Sequence, residues 1–220
     1  MRLLIDNKWF FTCTASGVAT IIGISLTFGL NSCREKHRRH TESDMLIQRT
    51  IVNIENRARN VEAAIKILTD YSEVLNSICE DYRTDPRSIV NDSIVDEFVD
   101  AIGTSWFFVN DRSVEQIFLN SYESWNVIGD LAIAERIGVC FDLLNYLEGE
   151  CYRLFDNMDE VVRNCNSVNG IMDMDRVDFV KTLIDDRDFR FTLMQHELKI
   201  ESLEVTLSQL NQNIDCLKEP

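Results

Sequence analysis

The chain has 220 residues, a formal net charge of −15 and only 2 Pro and 8 Gly, with hydrophobic residues making up 45%. That size suits one domain of ordinary dimensions plus an anchor, and the apolar content argues against wholesale disorder. So few chain breakers favour long helices over a turn-rich β fold, and the acidity repels nucleic-acid phosphates.

Residues 1–8 form a short N-terminal tail with Arg2 and Lys8. Residues 9–31, WFFTCTASGVATIIGISLTFGLN, carry no charged side chain. A helix of that length reaches roughly 34 Å, enough for a hydrocarbon core of about 30 Å, so the segment reads as a transmembrane helix. Trp9, Phe10 and Phe11 stand at one edge, where aromatic rings favour the interface. Arg34, Lys36, Arg38 and Arg39 stand at the other, where they meet lipid phosphates. A secretory h-region runs only about 7–15 residues, which disfavours a cleaved signal. Leu30-Asn31-Ser32-Cys33 resembles a lipobox, however, and makes Cys33 the lipidation residue of an alternative, lipoprotein reading. Ala15, Ala19, Gly23 and Thr27 recur every four residues, a small-residue stripe of the kind that lets two membrane helices approach closely. Basic residues on the two sides of the span nearly balance and lean slightly toward a cytoplasmic domain.

Residues 32–85 comprise the juxtamembrane segment and a heptad helix. The basic run 34–40, REKHRRH, reads as juxtamembrane charge at the headgroups. Ile47, Ile51, Ile54, Ala58, Val61, Ile65, Leu68, Ser72, Leu75 and Cys79 then alternate four- and three-residue steps. Eight of these ten are Ile, Leu, Val or Ala, a seam sustained over more than four heptads. Asn53, Glu55, Asn56, Arg57, Arg59, Glu62 and Lys66 fall on its other faces. The membrane helix is expected to continue outward into this stalk, with Thr41 to Asp44 the place for a break, and to end at Thr84-Asp85-Pro86.

Residues 86–190 read as a helical middle region. Ile94, Val95, Phe98, Val99 and Ile102 predict an amphipathic helix capped by Asp92 or Ser93. Ser113 to Trp125 predicts another, ended by Gly129, and Ile133 to Phe155 a third. From 191 to 220 a second seam runs through Leu193, His196, Ile200, Leu203, Leu207, Leu210, Ile214 and Leu217. The expected fold class is all-α. Its N-terminal transmembrane helix continues into a long heptad helix packed antiparallel with the C-terminal heptad helix. Pairing of each seam with its own copy in an oligomer is the alternative.

Motifs for chemistry are few. Seven Cys are present without a C-x-x-C pair, and they read as mostly buried free thiols. His37 and His40 lie in the basic run, and His196 lies on a seam, where a core role outweighs a ligand role. Asp173, Asp175 and Asp178 fail the calcium-loop pattern, because the fifth and sixth positions hold Val177 and Asp178. Glu148 and Glu150 are two apart and so face different ways on a helix. No phosphate-loop, dinucleotide, zinc-protease or nucleophile-elbow motif occurs. The sequence therefore points to no catalytic residue, no cofactor and no metal, and to no nucleic-acid or small-molecule partner.

Three stretches are similar to a family of bacterial single-pass membrane proteins common in the Bacteroidetes. Gly23 to Arg39 resembles the end of that family's membrane helix through Gly23, Ile24, Leu26, Asn31, Glu35, Arg38 and Arg39, with Cys33 where the family usually has Trp. Ser121 to Ile133 matches through Tyr122, Glu123, Gly129 and Leu131. The terminal heptad helix is the third. The resemblance implies an inner-membrane protein with its helical domain in the periplasm, opposite to the lean of the charges, and carries no established activity. The expected role is a membrane-anchored interaction or scaffold protein. Its partners are membrane lipid and either another protein or a second copy. The alternatives are a sensory or regulatory stalk of an envelope complex and an envelope enzyme.

Overall fold

In a computed structural model the chain is all-helical, with six α-helices and no strand among the described residues. Backbone is described for residues 7–90, 92–106, 108, 111–120, 128–169 and 174–218. Side chains are described for 37–38, 41–89, 92–106, 108, 111–119, 128–167 and 174–218. The helices are α1 (Asn7–Thr84), α2 (Asp92–Ile102), α3 (Ser113–Asn120), α4 (Leu131–Asn169), α5 (Arg176–Asp185) and α6 (Arg187–Lys218). A single 3₁₀ turn, Ser88–Val90, leads into α2.

Local chemistry sets the ends. The Thr84 hydroxyl donates to the Glu80 carbonyl as α1 ends, and Pro86 disfavours helix in the residue before it. Gly129 takes a positive φ of 68°, a conformation that suits a residue without Cβ. Asp130 Oδ1 then accepts from the amides of Ala132 and Ile133 and caps α4. Asp186 serves two helices: its amide donates to the Leu183 carbonyl at the end of α5, and its carboxylate accepts from Asp188 and Phe189 at the start of α6.

Side-chain contacts fix the directions. Tyr71 meets His196 and Glu55 meets Lys218, so α6 runs antiparallel to α1. Arg57 meets Glu148, and the ring of Tyr71 lies 6.0 Å from that of Phe155, so α4 runs parallel to α1. Between α1 and α4 a broken limb returns along α1. Its α2 faces residues 67–81, the Asp111 carbonyl accepts from Asn53, and α3 reaches Arg57. The result is an up-down-up-down bundle whose second limb is made of α2, a connecting segment and α3.

Both seams point inward. Of the first, every member from Ile51 to Cys79 is buried and Ile47 is half-buried; of the second, all are buried except the half-buried Leu207 and Leu217. A second stripe accompanies the first at seven-residue spacing: Ser43, Thr50, Arg57, Ala64, Tyr71 and Ile78 are all buried. A helix with neighbours on two sides buries a third heptad position beside its core pair, and here α4 and the return limb supply the second neighbour. Arg57 is thus in the interior, at 1% exposure, and not on an outer face.

Two further expectations are corrected. No break occurs at Thr41 to Asp44: Thr41 bonds back to the His37 carbonyl and Ser43 donates to the carbonyl of Ile128, so these hydroxyls are satisfied within a continuous helix. The third middle helix is longer than Ile133 to Phe155, because a heptad run from Ala134 through Ile137, Phe141, Leu144, Glu148, Cys151, Phe155 and Met158 extends to Cys165. The helix expected from Ser113 to Trp125 is described as far as Asn120, and the rest of that span lies outside the described residues.

Candidate functional site

The most chemically distinctive place in the bundle is a charged node at Arg57. α1 contributes Arg57, α3 contributes Glu115, and α4 contributes Asn145 and Glu148; Arg112 comes from the segment before α3. Glu115 and Glu148 are buried, at 5% and 3% exposure. Arg57 grips Glu148 with two parallel bonds, Nε to Oε1 at 2.8 Å and Nη2 to Oε2 at 3.0 Å. Its Nη1 donates to Glu115 Oε2 at 2.7 Å, and Nη2 also donates to Asn145 Oδ1 at 2.9 Å. Asn145 Nδ2 closes the ring by donating to Glu115 Oε1 at 2.6 Å. From the protein edge Arg112 donates to Glu148 Oε2 at 2.8 Å. The guanidinium carbon lies 5.9 Å from the centroid of Phe141, whose ring packs on Phe118.

Two guanidinium groups face two carboxylates, so the node is formally neutral. Burial alone lowers the Arg57 pKa, but hydrogen bonds and charge from Glu148 and then Glu115 outweigh it and raise the value overall. Four of the five Arg57 donor hydrogens have acceptors, and both Glu115 oxygens are occupied. A matched, bidentate node of this kind fixes which residues of three helices stand opposite each other.

The second polar place is the pair Tyr71 and His196, with Tyr71 Oη 2.7 Å from Nδ1 of the imidazole. His196 is 1% exposed, and burial pushes its pKa down to about 4, while burial raises that of Tyr71. The imidazole is therefore neutral at pH 7. Its Nε2 has no hydrogen-bond partner among the described residues. Beside this pair, Glu150 on α4 bonds Arg153 at 3.0 Å and Lys199 of α6 at 2.9 Å. Glu148 and Glu150 thus face different neighbours, as their two-residue spacing requires.

The remaining titratable candidates are quiet. Cys79, Cys140, Cys151 and Cys165 are buried free thiols and Cys216 is exposed. Burial pushes Cys79 and Cys140 up to about 11 and Cys151 to about 12, where a thiolate nucleophile is not populated at neutral pH. Among the described residues no group of three or more His, Cys, Asp or Glu is placed to hold a metal ion. Asp175 precedes α5, and Asp178 is exposed in its first turn.

The side chains of Ala15, Ala19, Gly23, Thr27 and Cys33, like those of the whole segment Trp9 to Asn31, are not among those described. No helix among the described residues is long and apolar enough to cross a membrane. His37 and Arg38, from the basic run, are exposed, with Arg38 Nε 3.9 Å from Glu42.

No family model, curated protein or solved structure matches the chain. The sequence pattern missed the node because Arg57 and Glu148 are single charges within long helical periods. The usable signal was the seven-residue recurrence of Ser43, Thr50, Arg57, Ala64, Tyr71 and Ile78 beside the seam.

Proposed function

We propose that the protein is a membrane-anchored helical interaction module, with a rigid bundle on the periplasmic side of a bacterial inner membrane. The observation that carries this reading is the single helix α1, Asn7–Thr84, which holds both the uncharged segment and the first bundle seam. A helix shared between anchor and bundle transmits position without a flexible linker. The seams are consumed within the chain, α1 against α6 and α4, so partners meet the outer faces and not the heptad positions. The buried charges are matched to one another, which suits a structural key better than a catalytic centre.

Crosslinking in the native cell, followed by identification of the attached proteins, tests the module reading. Reproducible protein partners are the expected outcome; a chain that crosslinks to nothing overturns it. Protease accessibility in intact and permeabilised cells tests the side: the bundle is cut only after the outer barrier is opened. Cutting that requires breaching the inner membrane overturns the periplasmic placement.

A further inference from the structure

We infer that the groove between α1 and α2 docks a cationic amphipathic helix of a protein partner. This rests on the interaction-module reading and names the partner's chemistry. Two adjoining depressions of 530 Å³ and 340 Å³ share Val74 and Glu97 and form one channel along α1 from Ile67 to Asp81. At 1.5 Å per residue that channel is about 21 Å long, room for about four helical turns. Its walls are two antiparallel helices, whose ridges leave a groove of the shape a third helix fills.

The floor is apolar: Ile67, Val74 and Ile94 are half-buried there, over the buried Ile78 and Ala101. The rims are acidic. Asp70, Glu73 and Asp81 line one side and Asp96, Glu97 and Asp100 the other, all exposed. No Lys or Arg is among the described lining residues, and Arg176 of α5 offsets one carboxylate by pairing with Asp96. By contrast, the groove between residues 55–62 of α1 and the end of α6 mixes Glu55, Glu62 and Asp215 with Arg59 and Lys218. In the α1–α2 channel charge of one sign thus flanks an apolar floor.

The carboxylates are strung along the channel and do not converge, which suits a row of Lys and Arg better than one divalent ion. The same charges repel an anionic lipid surface. A partner helix with apolar residues at i, i+3/i+4 and i+7 and basic residues flanking them satisfies floor and rims together.

The test uses the full chain in nanodiscs. The probe is a Leu/Lys helical peptide of about eighteen residues with leucines on one face, against a scrambled peptide of the same composition. The ordered peptide binds, and the variant D70N/E97Q/D100N weakens it about tenfold, as does Val74→Lys. The control E201Q/E204Q, on exposed positions of α6, leaves binding unchanged. Circular dichroism verifies that every variant retains its helix content. Equal binding of the scrambled peptide, or equal loss in the control, overturns the groove. Partners crosslinked in cells only at other faces also overturn the groove while the module reading stands; no crosslinked partner at all overturns that reading itself.

Discussion

At the level of Arg57 the bundle interior holds three buried charges and a fourth at its edge; about 21 Å further along α1, at Tyr71, the polar pair carries no charge at neutral pH. Both places sit on the same seven-residue stripe and face the same interior. The node satisfies its groups by pairing charge with charge through bidentate geometry. The pair satisfies its groups by staying neutral, and even so leaves Nε2 of His196 unmatched among the described residues. The difference teaches that two strategies for burying polarity carry different weaknesses. The node is intolerant of losing one partner, and the pair is intolerant of gaining a proton.

Removing Arg57 should give the largest effect. Arg57→Ala leaves buried Glu115 with no cation and Glu148 with only the edge Arg112, and the expected loss is about 3–5 kcal/mol in urea unfolding. Replacing the centre as a set, Arg57→Met with Glu115→Leu and Glu148→Leu, should recover most of that loss, since apolar groups of similar size need no partners. If the single variant proves as stable as the parent, the node does not hold these helices together. If the triple variant unfolds as readily as the single, packing and not stranded charge explains the loss.

Acid should act on the other layer. Between pH 6.5 and about 4 the unfolded chain binds a proton at His196 that the folded chain does not. This contribution to stability is complete above pH 6.5, declines as pH falls to about 4 and levels off there, about 3 kcal/mol lower. Urea midpoints at pH 7.5 and pH 4 measure the total fall, and His196→Leu should remove its own share. An identical pH dependence in the variant would sink the assignment of this step to His196.

The contrast also explains what the sequence made legible. The two apolar seams are period signals repeated many times, so a few polar interruptions such as Ser72 and His196 do not hide them. Their antiparallel pairing was the simplest arrangement for two helices in one chain, but the seams alone left pairing between copies open, and contacts such as Tyr71 with His196 decide it. The middle limb was harder: α2 and α3 are short, and their partners are set by long-range contacts such as Asn53 with Asp111 and Arg57 with Glu115. Arg57 looked solvent-facing because a lone arginine beside a seam usually is, and only a second neighbouring helix turns that position inward. Glu148 occupies a core position of its own helix, and nothing local marks the guanidinium 91 residues earlier that neutralises it.

The smallest expected effect separates a hydrogen bond from mere packing in the neutral layer. Tyr71→Phe keeps the ring against Phe155 and removes only the hydroxyl near Nδ1. Alone it should lower stability by about 1–3 kcal/mol, because it leaves both imidazole nitrogens unmatched. In a His196→Leu background the same change should cost far less, since the hydroxyl has then already lost the imidazole. A double-mutant cycle with a coupling of about 1 kcal/mol supports a specific bond, whereas additive changes would show that the two rings simply fill space. Measured at pH 7.5 and again at pH 4, the cycle also compares the neutral imidazole with one near its titration midpoint. The protonated ring no longer offers an acceptor to the Tyr71 hydroxyl. The coupling should therefore weaken in acid.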